Sequence, residues 1–204
     1  MARYDSGHKA ATRQRIIETA SQRFKQDGID GSGIATLMAD AGLTNGAFYA
    51  HFESKDDLVA HIVAEELRLQ AERLRALEPG PKSLEGFIRE YLSPEHRDTP
   101  SAGCPSAALL DEIVRCSPPT RSAYSGGAEA IVETIATHLS PKQPQKARDK
   151  AIGLFALLVG TLQLARAVSD EKLSAEVLES GLKNALSFMA YVEQGKANGK
   201  IVVR

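Results

Sequence analysis

The chain has 204 residues, of which 43 % are hydrophobic, and its 25 Lys and Arg against 26 Asp and Glu leave a net charge of −1. This composition supports one large or two smaller domains with a buried core and excludes a disordered tail. The balanced charge excludes a uniformly basic binder of nucleic acid or membrane, so any such partner must meet a local patch. The first 25 residues are the basic end, with six basic and two acidic side chains.

Three features of the sequence predict a cytoplasmic protein. Two cysteines, Cys104 and Cys116, are too few for a disulfide framework and fit a reducing compartment. The first 20 residues contain no apolar leader segment. The longest nearly apolar run, 151–165, is shorter than the roughly 20 residues that a bilayer requires, which predicts a deeply buried helix and no membrane partner.

Apolar residues recur with a period of about 3.6 throughout the chain and predict an all-α fold. A first helix is predicted from about His8 to Asp27, with Gly28 as its stop. A short second helix is predicted to be capped by Ser32 and ended by Gly42. The apolar faces of these two helices comprise Ile16, Ile17, Ala20, Phe24, Ile34, Leu37, Met38 and Ala41.

A third short helix is predicted within TNGAFYAHFESK, residues 44–55, after a tight glycine turn. Phe48 and Phe52 lie one turn apart on this helix, which directs both rings into a small core. Ser54 caps a fourth helix that runs to about Leu77. Beyond it, a Pro-rich loop is predicted over 93–103, and a kink or close approach at Gly126-Gly127. Further helices are predicted over about 83–92, 104–116, 117–138, 143–168 and 174–194.

Two short helices across a tight turn, supported by a third, are typical of a helix-turn-helix, whose second helix enters the major groove of DNA. Gly46 and Ala47 are small, which lets the start of that helix approach base edges. Polar side chains around it suit phosphate oxygens, the commonest protein contacts to DNA. The predicted contacts to the DNA backbone are Thr44, which also caps the helix, Tyr49, His51 and Lys55.

The run GIDGSGIATLMADAGLTNGAFYAHFESKDDL, residues 28–58, resembles the N-terminal DNA-binding domain of the tetracycline-repressor (TetR) family of bacterial transcriptional regulators. The resemblance covers about the first 60 residues, and the rest agrees in length, helicity and order. It implies a helix-turn-helix domain over 1–54 and a helical ligand-binding and dimerisation domain over 55–204. The matching residues are Ile34, Leu37, Ala41-Gly42-Leu43-Thr44, Gly46, Phe48-Tyr49, His51-Phe52, Ser54-Lys55 and Leu58.

The sequence departs from the family pattern at two positions. Gly33 stands where the family usually has a Ser or Thr on a phosphate, so that contact is either absent or supplied by the backbone or by Ser32. Met38 stands where a small residue usually lets the two short helices pack closely. Asn45 and Ala47 occupy the variable, base-facing positions, and an Asn can pair bidentately with adenine.

The resemblance implies a homodimer that binds a pseudo-palindromic operator in double-stranded DNA and, by family habit, represses transcription. The last two predicted helices support dimerisation, because 151–165 is apolar on nearly every side and Gly153 and Gly160 permit close backbone contact. Paired with the helix over 174–194, it would form a four-helix interface with its twin. The core of a monomeric bundle is the alternative.

The resemblance also implies a small-molecule inducer that releases the protein from its operator. Such a ligand requires an apolar cavity with a few polar groups. Ordinary core packing is the alternative for each candidate residue. The candidate lining residues are Phe87, Ile88, Tyr91, Leu109, Ile113, Tyr124, Phe155, Leu158 and Leu162.

Cys104 precedes Pro105, a favoured first residue of a helix, and a helix start lowers the pKa of a thiol. This position suggests a sensor of oxidants or electrophiles, reachable through the preceding polar loop; a buried, inert thiol is the alternative. Cys116 lies about 18 Å further along an ideal helix, which argues against a disulfide.

Two other classes of protein compete with this interpretation. The first is an enzyme. The five histidines show no metal-ligand spacing, and the sequence has neither a nucleophile motif nor a Gly-rich phosphate loop. The sequence therefore predicts no enzyme, cofactor or metal site. An architectural DNA-binding protein without a ligand is the second rival.

Overall fold

The computed structural model describes the backbone of residues 2–197 and the side chains of residues 7–189. All regular elements within 2–197 are helical, which confirms the all-α fold class. Two 3-10 turns, Pro100–Ala102 and Pro144–Ala147, join the α-helices. In chain order the α-helices are α1 (Ala2–Asp27), α2 (Ile34–Asp40), α3 (Asn45–Phe48), α4 (Lys55–Arg75), α5 (Pro81–Tyr91), α6 (Pro94–Asp98), α7 (Pro105–Ile113), α8 (Pro118–Leu139), α9 (Arg148–Ala167) and α10 (Glu171–Ala197).

The chain divides into two compact units, and neither is continuous in sequence. The first combines Met1–Leu69 with Pro100–Ala128, and the second combines Gln70–Thr99 with Glu129–Arg204. Helices α4 and α8 therefore each contribute to both units. The predicted boundary after residue 54, between the DNA-binding and the ligand-binding domain, lies within the first unit. This division by function stays a prediction.

The core of the first unit forms on the apolar stripe predicted for α1. Ile16, Ile17, Ala20 and Phe24 are at most 6 % exposed. Helix α1 ends because Gly28 takes a φ of +84°, a left-handed conformation that favours glycine. The Phe48 and Phe52 rings are buried as predicted, with centroids 5.7 Å apart. The small core beneath the predicted recognition helix is confirmed.

A buried ionic cluster connects α1 and α4 within the first unit. The Lys25 ammonium donates to Glu66 Oε2 at 2.9 Å and to the Gly103 carbonyl at 3.2 Å. Ser21 Oγ donates to Glu66 Oε1 at 2.5 Å. Lys25 is only 7 % exposed, so its charge depends on these partners rather than on water.

Helix α7 holds the turn that follows α1 through one carboxylate. Glu112 Oε2 accepts the backbone N–H of Ile29 at 2.7 Å and that of Asp30 at 3.3 Å. A Cβ at Gly28 would stand 2.9 Å from Glu112 Oε1, so a larger residue there would require this carboxylate to shift. The connection between α1 and α2 therefore depends on a residue more than 80 positions away.

In the second unit α9 packs against α10. Helix α9 buries Leu154, Leu158 and Leu162 completely, as predicted for the apolar run. By length and composition alone, the segment Pro144–Ala167 is apolar enough to cross a membrane. The core helix of a soluble protein meets the same criterion. Large apolar side chains nevertheless remain exposed on this pair: Ile152 and Leu164 on α9, and Phe188 on α10.

Several predicted boundaries were wrong for local reasons. The loop predicted over 93–103 contains α6, because the Ser93 hydroxyl accepts the His96 N–H at 3.2 Å and Pro94 suits the first helical position. Helix α7 ends at Ile113 rather than near Cys116.

The close approach predicted at Gly126-Gly127 is present, because a Cβ at Gly127 would overlap the side chain of Leu67. Residues 198–204, beyond the last predicted helix, lie outside the described part of the chain.

Candidate nucleic-acid interface

The turn between α2 and α3 has the geometry of a helix-turn-helix. Gly42 takes a φ of +66°, and its N–H donates to the Ala39 carbonyl at 2.9 Å. The Leu43 N–H reaches back to the Met38 carbonyl at 2.8 Å, which completes the end of α2. Thr44 is then extended at the N-cap of α3. The tight turn predicted from the sequence is therefore confirmed.

Helix α3 presents a small, open surface. Thr44, Asn45 and Gly46 are exposed, and Ala47 is half-buried. No heavy atom lies within 4 Å of a Cβ built at Gly46, so this position faces open space. The predicted capping by the Thr44 side chain was wrong, because its hydroxyl makes no cap hydrogen bond. Helix α3 itself ends at Phe48, and residues 49–51 form a turn.

Tyr49 and His51 flank the open surface of α3, and they differ in exposure. Tyr49 is 66 % exposed and meets the Phe48 ring edge-on at 5.2 Å. His51 is half-buried, and its Nδ1 is buried without a hydrogen-bond partner among the described side chains. Burial lowers the pKa of His51, and the charges of Lys9 and Arg13 lower it further. The imidazole is therefore uncharged at neutral pH and can offer an N–H donor.

Lys55 is the first residue of α4, as predicted, and its position is set by a reciprocal cap. The Asp57 N–H donates to Ser54 Oγ at 3.1 Å, and the Glu53 N–H donates to Asp57 Oδ2 at 3.1 Å. The Lys55 ammonium lies 5.9 Å from the centroid of the Phe24 ring. These contacts hold a positive charge beside the end of the helix-turn-helix.

The cap of α2 predicted for Ser32 was wrong. Gly33, not Ser32, is the N-cap of α2, because the Ser32 hydroxyl donates instead to the Gly28 carbonyl at 3.1 Å. Ser32 is 2 % exposed, whereas Gly33 is exposed in an extended conformation. Contacts of Ser32 and Gly33 with DNA remain predictions. The exposed backbone of Gly33 is better placed for such a contact than the buried Ser32 side chain.

Sequence reasoning missed one pair of basic residues beside this surface. Arg13 places its guanidinium 4.7 Å from the centroid of the Phe52 ring. Lys9 lies one helical turn before it on α1. The excess of basic residues at the N-terminal end was a signal for this pair, but only the fold brings it to His51.

The residues predicted to line an inducer site are distributed over both units. Leu109, Ile113 and Tyr124 belong to the first unit, and the candidates Phe87, Tyr91, Phe155, Leu158 and Leu162 belong to the second. Within the first unit, an open groove of about 410 Å³ runs along α7 and the start of α8. It includes two candidates among its lining residues: Leu110, Ile113, Val114, Pro118, Arg121, Ser122, Tyr124 and Ser125.

Tyr124 is the polar candidate in this groove. Its hydroxyl donates to Ser106 Oγ at 3.2 Å, and burial raises its pKa. The group therefore stays protonated and can donate or accept a hydrogen bond. Whether any of the candidate residues contacts an inducer stays a prediction.

Cys104 occupies the N-cap of α7, as predicted, and it is buried, which agrees with the alternative of a buried thiol. Its side chain is only 6 % exposed, because the preceding segment folds against α1. Cys116 is half-buried, and burial and nearby carboxylates raise its pKa. Within residues 7–189, neither cysteine forms a disulfide. A sensor role for Cys104 stays a prediction without support from accessibility.

The turn, the open face of α3 and the supporting α1 define a helix-turn-helix DNA-binding domain. Residues 16–62 match the sequence profile of bacterial regulatory proteins of the tetR family. This match covers less than half of the chain, and it shows that the N-terminal segment is similar to the DNA-binding domain of TetR-family regulators.

Two regulators illustrate how the similarity is distributed along the chain. AcrR of Shigella flexneri, a transcriptional regulator, is 37 % identical over 62 residues, which span 30 % of this chain and 29 % of AcrR. The transcriptional repressor NemR of Escherichia coli K12 is 26 % identical over 136 residues, which span 63 % of this chain and 67 % of NemR. The higher identity is thus confined to a short segment.

Solved structures extend the similarity of fold to most of the chain. The reduced form of Escherichia coli NemR has a TM-score of 0.72 at 22 % identity and covers 86 % of this chain and 95 % of its own. A TetR-family regulator from Cytophaga hutchinsonii has a TM-score of 0.71 at 20 % identity, covering 88 % and 95 %. The helical arrangement is therefore shared well beyond residues 16–62.

Proposed function

We propose that this protein is a cytoplasmic transcriptional regulator that binds a double-stranded operator as a homodimer and represses transcription until a small molecule releases it. The observation that carries the proposal is the open face of α3 around Gly46, flanked by Tyr49, His51 and Lys55. Small residues admit the helix to the major groove, and the flanking groups suit phosphates. The names of NemR and AcrR, a repressor and a regulator, support this class of function.

The proposed dimer is supported by energetics and by the second unit. One helix-turn-helix makes too few phosphate contacts for tight binding at physiological salt, whereas two double that number. The exposed apolar side chains of α9 and α10, Ile152, Leu164 and Phe188, offer surface that association would bury.

The proposed inducer is supported by the groove on α7 and α8. Its volume of about 410 Å³ falls within the usual range for small-molecule sites, and it combines apolar walls with hydroxyls and Arg121. A ligand-induced rise in melting temperature would favour the regulator over an architectural DNA-binding protein.

Selection of bound duplexes from a random pool tests the proposed operator. We expect a pseudo-palindrome whose half-sites lie about one DNA turn, or a multiple of it, apart. Sedimentation should show a dimer at micromolar concentration. A monomer that selects a single asymmetric half-site would contradict the dimer, and no enrichment of any duplex would contradict the proposed function.

Replacement of Lys55 by Ala tests the predicted phosphate contact. Binding should weaken about equally on all sequences, and the slope of log affinity against log salt should flatten by about one unit, because one counterion fewer is released per contact. Titration of labelled operator at several salt concentrations measures this slope. An unchanged slope in a normally folded variant removes Lys55 from the interface.

A further inference from the structure

Helix α1 has a basic surface beside the helix-turn-helix, formed by Lys9 and Arg13 together with His51. Lys9 and Arg13 are four residues apart, so both side chains lie on the same face of α1. The Arg13 guanidinium stacks 4.7 Å from the centroid of the Phe52 ring. Because Phe52 is 2 % exposed and follows His51 directly, this contact fixes Arg13 relative to the end of the recognition segment.

The charges of this surface are not compensated within the described part of the protein. Arg23, further along α1, pairs with Asp27 at 2.9 Å, and Lys25 pairs with Glu66 at 2.9 Å. Among the side chains of residues 7–189, neither Lys9 nor Arg13 forms an ion pair. Arg23 and Lys25 thus pair with carboxylates of the protein, whereas Lys9 and Arg13 leave two cations for an external anion.

The imidazole of His51 is close enough to both cations for their charges to affect its pKa. Their charges lower the pKa of its imidazole, after the larger effect of burial. An anion among the three groups would relieve the repulsion between the cations and could accept an N–H from the imidazole. The anion that lies beside a recognition helix on duplex DNA is a backbone phosphate.

We propose that Lys9, Arg13 and His51 form an additional phosphate-binding surface, through which α1 holds the DNA backbone next to the major groove read by α3. This inference rests on the proposed binding of duplex DNA and adds a contact that the helix-turn-helix motif does not include. Lys9 and Arg13 supply the charge, while His51 supplies a neutral donor at the edge of α3. The contact is independent of base sequence, and it fixes the orientation of α1 on the duplex.

The test measures the salt dependence of operator binding for Lys9→Gln, Arg13→Gln and the matched control Arg15→Gln. Arg15 is exposed and lies about 200° around α1 from Arg13, so its replacement removes the same charge from another face. We expect Lys9→Gln and Arg13→Gln each to flatten the slope by about one unit and to weaken binding about tenfold at 0.1 M salt. Arg15→Gln should retain the parental slope.

Ethylation of individual phosphates on the selected operator locates the contact. One ethylated phosphate should block binding of the parent and have little further effect on the Lys9→Gln, Arg13→Gln double variant. Slopes for Lys9→Gln and Arg13→Gln that equal the Arg15→Gln slope would overturn the inference. Equal slopes would leave the proposed function intact, provided that the parent binds DNA and that Lys55→Ala flattens its slope. If the parent binds no duplex, the proposed function and this inference both fail.

Discussion

Replacement of Gly46 by Leu is expected to abolish operator binding, with a loss of a hundredfold or more, while the protein remains folded. A Cβ at Gly46 meets no heavy atom within 4 Å and its backbone is helical, so the larger side chain projects outward without strain. On the operator, the same side chain would hold α3 away from the base edges. The absence of each bidentate hydrogen-bonded pair between a side chain and a base costs about 1–3 kcal/mol.

Titration of the selected operator and thermal melting of the free protein together check this result. Gly86→Leu is the matched control, because Gly86 is also helical and also faces open space, but lies on α5. The control should bind the operator normally. Retention of near-parental affinity by folded Gly46→Leu would show that α3 does not enter the groove.

Replacement of Glu66 by Ala is expected to cause a large loss of stability, about 3 kcal/mol in the free energy of unfolding. Within residues 7–189, the substitution leaves the buried Lys25 ammonium with the Gly103 carbonyl as its remaining hydrogen-bond acceptor, and removes the acceptor of Ser21. Breaking one side of a buried ion pair costs about 3–5 kcal/mol. The lower end applies because the Glu66 side chain is 26 % exposed.

Chemical denaturation measures this loss, with Glu65→Ala as the neighbouring control. Glu65 pairs with Arg68 on the exposed side of α4, where an ion pair contributes about 1 kcal/mol or less. The double variant Lys25→Met, Glu66→Leu should recover much of the stability, because no charge is then left buried. Equal losses for Glu66→Ala and Glu65→Ala would show that Lys25 is solvated without its partner.

The helix-turn-helix could be predicted because its signals are local. The spacing of Phe48 and Phe52, the turn at Gly42 and the cap at Ser54 each depend on residues within five positions of one another. The Ser32 prediction failed because its hydroxyl had two nearby alternatives, the start of α2 and the Gly28 carbonyl, and the sequence does not rank them.

The sequence by itself determined the helical class, the buried stripe of α1 and the small open face of α3, since periodicity and turn chemistry act over a few residues. Only the tertiary structure decided that Glu112 holds the turn after α1, that Arg13 stacks on Phe52 and that Cys104 is buried. These features join residues from 39 to 83 positions apart or depend on packing around a loop. No local pattern specifies such pairings, because they are set by how helices fold back on one another.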